Sequence, residues 1–162
     1  MAMRRPHTAE SKAKISRNSK PDVRHAKSVK RHIMFMSDMG MKAAERFWSK
    51  VGQPIERADD NGTTWMCYPW NGSFRGETSR GDRKGQIHDP LGGMMQAAQL
   101  AQELYNGPVP LGYEVSHLCG WCECVRPQHV TAESKRANMA RSGHRVSESL
   151  RLRRTRMEVS NG

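Results

Sequence analysis

Three of the four cysteines in this chain stand close together, in Ser116-His117-Leu118-Cys119-Gly120-Trp121-Cys122-Glu123-Cys124-Val125-Arg126-Pro127-Gln128-His129. Cys119, Cys124 and His129 follow one another at five-residue intervals, so a compact turn can bring their side chains to one point. Thiolate and imidazole are the donors zinc prefers, and a closed structural site takes four of them. The fourth must come from elsewhere, and Cys67 is the obvious donor, because it sits in the strand-like run Thr63 to Trp70. Such a metal would staple the front of the fold to its back, with a contribution on the order of 10 kcal/mol. A competing set uses Cys119 and Cys122 as a CxxC pair, whereas Cys122 and Cys124 are awkwardly close for one ion. The clustering argues for a metal rather than a disulfide framework. Further on, Asn138 falls inside a helical pattern, where asparagine is a mediocre residue and its amide oxygen is a donor suited to a hard cation.

The elements that must position these residues are short. A helix is expected over residues 38–51, with Ser37 or Asp38 as cap, Met41, Ala44, Phe47, Trp48 and Val51 on one face, and Gly52 as the stop. Gln53 to Gly62 reads as a polar turn, and Thr63 to Trp70 as a strand carrying Cys67. Residues 71–85 read as a phosphate-facing hairpin loop carrying Arg75, Arg80, Arg83 and Lys84. A second helix is expected over about 94–106, closed by Asn106-Gly107, then a short strand from Tyr113 into the cluster. A third helix is expected from Thr131, as its cap, to Gly143. No internal repeat is visible.

Composition limits what these elements can hold. Only 36% of the 162 residues are hydrophobic and the mean hydropathy is -0.82, so the apolar core must be small. The net charge of +11 is concentrated at the ends, with about +8 over residues 1–32, -3 over 33–134 and +6 over 135–162. Two basic arms around a nearly neutral middle point to a polyanion, and Arg17 and Lys20 in the first arm, with Arg141 and Arg145 towards the second, are candidate phosphate contacts. The first arm has little to bury and is expected to be loosely helical or disordered until it meets DNA. Neither a membrane span nor a secretory leader is read in the sequence, which places the chain inside a cell.

The residues resemble a family. Ser116-His117-Leu118-Cys119, four residues, Cys124, four residues, His129 is similar to the His-Cys box of the His-Me finger (ββα-metal) nucleases, in particular the homing endonucleases and the related phage HNH endonucleases. In that family a metal-binding asparagine follows the catalytic histidine by 21 positions, and Asn138 stands there. Arg46-Phe-Trp-Ser-Lys-Val, Cys67-Tyr-Pro-Trp-Asn-Gly and Gly107-Pro-Val-Pro-Leu-Gly look like phage HNH landmarks. The resemblance therefore spans roughly residues 45–143.

It implies an α+β fold with a small zinc-stabilised ββα-metal core over residues 37–143. A basic, partly extended DNA-binding arm would precede it (1–36) and a basic helix or tail would follow (144–162). It implies an Mg²⁺-dependent DNA endonuclease leaving 5′-phosphate and 3′-hydroxyl ends. His117 would be the general base, kept out of the zinc shell because ligation would occupy the nitrogen that accepts the proton. Asn138 would hold the single Mg²⁺, and Cys67, Cys119, Cys124 and His129 the structural Zn²⁺. A family arginine near the scissile phosphate best matches Arg83, with Arg80 and Lys84 as alternatives. Ser116 stands where many HNH enzymes carry a second metal ligand, which points towards the His-Cys box type. No cysteine follows Cys124, so the second zinc of the homing members cannot be assembled from this sequence. The partner implied is double-stranded DNA, and a homodimer and a monomer are both compatible. The location implied is the cytoplasm of a bacterial or phage-infected cell, or the nucleus of a eukaryotic host. The alternative reading is a zinc-stabilised DNA-binding protein without catalysis, which leaves the His117 to Asn138 spacing as coincidence.

Overall fold

The computed structural model describes residues 20–77 and 83–141. Arg17, Arg80, Arg145 and the basic segment 144–162 lie outside them. The described elements are, in chain order, α1 (Pro21–Phe35), α2 (Asp38–Trp48), β1 (Ile55–Ala58), β2 (Thr64–Cys67), β3 (Ser73–Glu77), β4 (Arg83–His88), β5 (Met94–Gln96), α3 (Ala97–Tyr105), β6 (Tyr113–His117) and β7 (Val130–Ser134). A helical segment, α4, continues from β7 over residues 135–141. The strands pair in three antiparallel groups, β1-β2, β3-β4-β5 and β6-β7. This is a mixed α+β fold whose last hairpin and helix make a ββα unit.

A helix of nine residues is too short to persist alone in water, so α3 is held by burial. Ala97, Ala98, Leu100 and Ala101 are all within the core, and the helix packs on β4, β5, β6 and β7 as well as on α1 and α2. Phe47, Trp70, Ile87, Met95, Val125 and Val130 complete that core. Trp70 fills its centre, with its indole N–H donating to the Ser73 carbonyl at 3.0 Å. Its ring abuts Gly85 and Gly72, where an added Cβ would stand 2.6 Å from ring atoms. A second, smaller cluster is formed by Cys67, Cys119, Trp121 and Cys124, so the protein has an apolar core and a sulfur-rich one side by side.

Four local assignments differ from the sequence reading, each for a physical reason. Over Pro21–Phe35 the basic arm gives way to a fifteen-residue helix with Pro at its first turn. Its buried face is polar, with Ser28 and Arg31, which hydrophobic periodicity cannot detect. Arg31 bonds Glu103 through Nε at 2.5 Å and Asp89 through Nη1 at 2.9 Å, and all three side chains are shielded from solvent. Ile55–Ala58, read as a turn, is a strand exposed throughout its length and held by pairing with β2. Met94–Gln96, read as the first turn of a helix, pairs instead with Gln86–His88. Thr131 is not a helix cap. It lies opposite Ser116 in the β6-β7 hairpin, and Ser134 caps α4 by accepting the Ala137 N–H at 3.2 Å.

Candidate metal centre and nuclease site

The segment between β6 and β7 is a loop folded back on itself. Leu118 N–H donates to the His129 carbonyl at 2.7 Å, closing the loop at its neck. Cys124 bridges to Pro69 just after β2, and Val125 N–H donates to the Tyr68 carbonyl at 2.9 Å. That stitching places Cys67 beside the loop. The Sγ atoms of Cys67, Cys119 and Cys124 and the His129 ring nitrogen all lie within 4.8 Å of one another, and all four residues are buried. His129 Nδ1 is 3.6 Å from Cys67 Sγ and 3.5 Å from Cys124 Sγ. Zn–S bonds of about 2.3 Å and Zn–N bonds of about 2.0 Å at tetrahedral angles require S to N edges of about 3.5 Å. The donor set and its spacing fit zinc, and this is a Cys3His cluster of the kind that holds a structural ion. Cys122 is half-buried and outside the cluster, which decides between the two ligand sets left open by the sequence.

The electrostatics of the pocket favour a cation. Burial pushes the Cys67 thiol up to about 11, and hydrogen bonding to Cys124 together with burial raises Cys119 far above its ordinary value. Cys124 is lowered, chiefly because Cys119 hydrogen-bonds its sulfur, aided by the backbone of Arg126 and Tyr68. Burial lowers His129, which keeps the imidazole neutral and able to donate a lone pair. A divalent ion allows all three sulfurs to ionise in one place. Trp65 covers the His129 ring edge-on at 5.1 Å, and Arg57 stacks on Trp121 at 4.2 Å, so aromatic residues roof the cluster.

His117 ends β6 and stays outside the Cys3His cluster. Its Nε2 lies 3.0 Å from the Cys124 carbonyl oxygen, an acceptor only, so Nε2 carries the proton and the neutral ring has its lone pair on Nδ1. Cys124 thus offers sulfur to the cluster and its carbonyl to the histidine. Asn138, on α4, donates its Nδ2 to Glu114 Oε1 at 3.0 Å. Glu114 sits on β6, and no spacing in the sequence signals it.

The cationic candidates separate. Arg141 turns inward, donating to the His117 carbonyl and to Ser116 Oγ, both at 2.7 Å, and pairing with Glu133. Ser116 also donates to Glu133, so these three side chains lock α4 onto the hairpin. Arg83 stacks on Phe74 at 4.1 Å and pairs with Glu123 at 3.4 Å. Lys84, its neighbour, faces the other side of β4 and lines a cleft of about 230 Å³ together with Glu114 and Asn138. Lys20 and Arg75 are exposed and outside that cleft. Among the described residues no helix is long and apolar enough to cross a membrane.

Residues 84–158 match the family described as the zinc-binding loop region of homing endonuclease, a span of just under half the chain that takes in β4 to α4 and three of the four cluster residues. The chain therefore has a His-Me finger (ββα-metal) nuclease-like fold, with the Cys3His cluster pinning the loop between the two strands of its ββα unit. Searches of curated proteins and of solved structures returned no significant match.

Proposed function

We propose that this protein is an Mg²⁺-dependent DNA endonuclease in which His117 is the general base and Asn138 the protein ligand of the catalytic ion. The observation that carries the reading is the hydrogen bond from His117 Nε2 to the Cys124 carbonyl. It fixes the tautomer whose lone pair, on Nδ1, accepts a proton from water attacking phosphorus. Asn138, with its amide nitrogen engaged by Glu114, is left with its amide oxygen as donor. An amide oxygen is the kind of hard donor Mg²⁺ accepts. The ion, when bound, would stabilise charge on the phosphate and on the departing 3′ oxygen. The remaining roles belong to side chains. Lys84, projecting into the same cleft as Asn138, is better placed than Arg83 to hold the scissile phosphate.

The Cys3His cluster acts in this scheme through structure, by holding the Cys124 carbonyl where His117 needs it. DNA as substrate is supported by the family matched over residues 84–158 and by the net charge of +11. The test is cleavage of supercoiled plasmid with and without added Mg²⁺, by wild type and by His117→Ala. Expected are Mg²⁺-dependent cutting by wild type and none by the variant, with zinc content and DNA affinity unchanged. A His117→Ala protein that cuts as well as wild type sinks the assignment.

A further inference from the structure

The cleft that contains Asn138 has a wall not accounted for by the ββα unit. Besides Lys84, Tyr113, Glu114 and Asn138, it is lined by Arg24 and His25 of α1, a helix that ends some fifty residues before the matched region. Arg24 and Lys84 are both exposed, and no ion pair among the described residues takes up either of them. Glu114 supplies the acid, at the Asn138 end.

The position of α1 is fixed to an unusual degree for a helix with so little apolar surface. Arg31 reaches Glu103 and Asp89, and Ser28 Oγ donates to Glu103 at 2.8 Å while accepting the Val109 N–H at 2.8 Å. His25 donates its Nδ1–H to the Val109 carbonyl at 2.8 Å, and His32 Nδ1 lies 3.1 Å from the Glu103 carbonyl. Buried ionic contacts of this kind contribute little net stability but penalise every other docking of the helix. What they specify is where the exposed face of α1 points, and that face carries Arg24 to the cleft.

Resting on the nuclease reading above, we propose that α1 is one wall of the DNA groove and that Arg24 binds a backbone phosphate flanking the one held beside Asn138. A guanidinium presents two parallel N–H donors to two phosphate oxygens, and it does so without taking part in bond breaking. Arg24 is therefore a binding residue, and its removal weakens substrate and transition state alike, which raises KM and leaves kcat in place.

The experiment compares wild type, Arg24→Gln, Arg24→Lys, and Lys42→Gln as an exposed cation on α2 that does not line the cleft. Each is checked first for zinc content and melting temperature. Affinity for a short random-sequence duplex is measured by anisotropy across a salt series, without added Mg²⁺, and plasmid cleavage is measured separately in Mg²⁺. For Arg24→Gln the expected results are a salt slope shallower by about 1, as for loss of one phosphate contact. KM should rise about 10-fold at unchanged kcat, with the slope restored in Arg24→Lys and unaltered in Lys42→Gln. An Arg24→Gln protein with the wild-type slope and KM overturns the proposal and leaves the nuclease reading standing if His117→Ala is inactive. If wild type does not cut, the nuclease reading fails and the salt slopes alone decide whether Arg24 meets a phosphate. If wild type does not bind the duplex, both fall.

Discussion

The amide of Asn138 depends on a neighbour for its orientation. With Glu114 accepting from Nδ2, the amide is held in one sense, its oxygen turned away from that carboxylate. Replacing Glu114 by Gln keeps the size but allows the two amides to pair in either sense. Partners of this outer kind typically change metal affinity by about 10- to 100-fold. Glu114→Gln is therefore expected to need about 10-fold or more Mg²⁺ for half-maximal cleavage, with the plateau recovered at high Mg²⁺, which a titration of rate against ion concentration checks. Asn138→Ala should show no such recovery. Nothing in the sequence points to Glu114, because an acid on a short strand has no spacing signature. The four zinc donors were legible for the opposite reason. Thiols and imidazoles at fixed intervals admit few explanations, and Cys67 was recoverable from far upstream because a closed site needs a fourth donor.

Among the elements, α3 and the zinc loop form where apolar pattern and turn chemistry lead, while α1, β1 and β5 do not. The residues of α1 that are buried are Ser28 and Arg31, and those of β1 are all exposed, so neither displays the periodicity by which a helix or strand is read. Pairing partners and ionic contacts far along the chain decide both. The contact of β4 with Trp70 supplies a test at this scale. Gly85→Ala drives a methyl group into the indole at 2.6 Å, and overpacking of that kind costs about 1–3 kcal/mol. A lower midpoint in urea with an unchanged slope is the expected outcome, whereas wild-type stability would mean that Trp70 can move aside.

At the scale of the whole molecule, two devices work beside a small apolar core. One is the Cys3His cluster. Zinc uptake should release protons, because burial and mutual contact hold Cys67 and Cys119 as thiols at neutral pH and both must ionise to bind. Calorimetry in buffers of different ionisation enthalpy would count them, and chelation is expected to unfold the region around β2 and the loop. The other device is the ionic network under α1. Arg31→Met leaves Glu103 and Asp89 in the interior with no cation between them, at a cost of about 3–5 kcal/mol. Replacing Arg31, Glu103 and Asp89 together by neutral side chains should recover most of that loss, as equilibrium denaturation of the two variants beside wild type would show. Sequence reading anticipated the first device and not the second, since a buried Arg, Glu and Asp drawn from three separate elements share no motif.

Cys124 connects these scales, because one residue turns its sulfur to the metal cluster and its carbonyl to His117. Under the proposed chemistry, a newly made chain that has not yet captured its ion has no properly held base. On that reading DNA would be cut only after the metal is loaded, so zinc capture would come before cleavage.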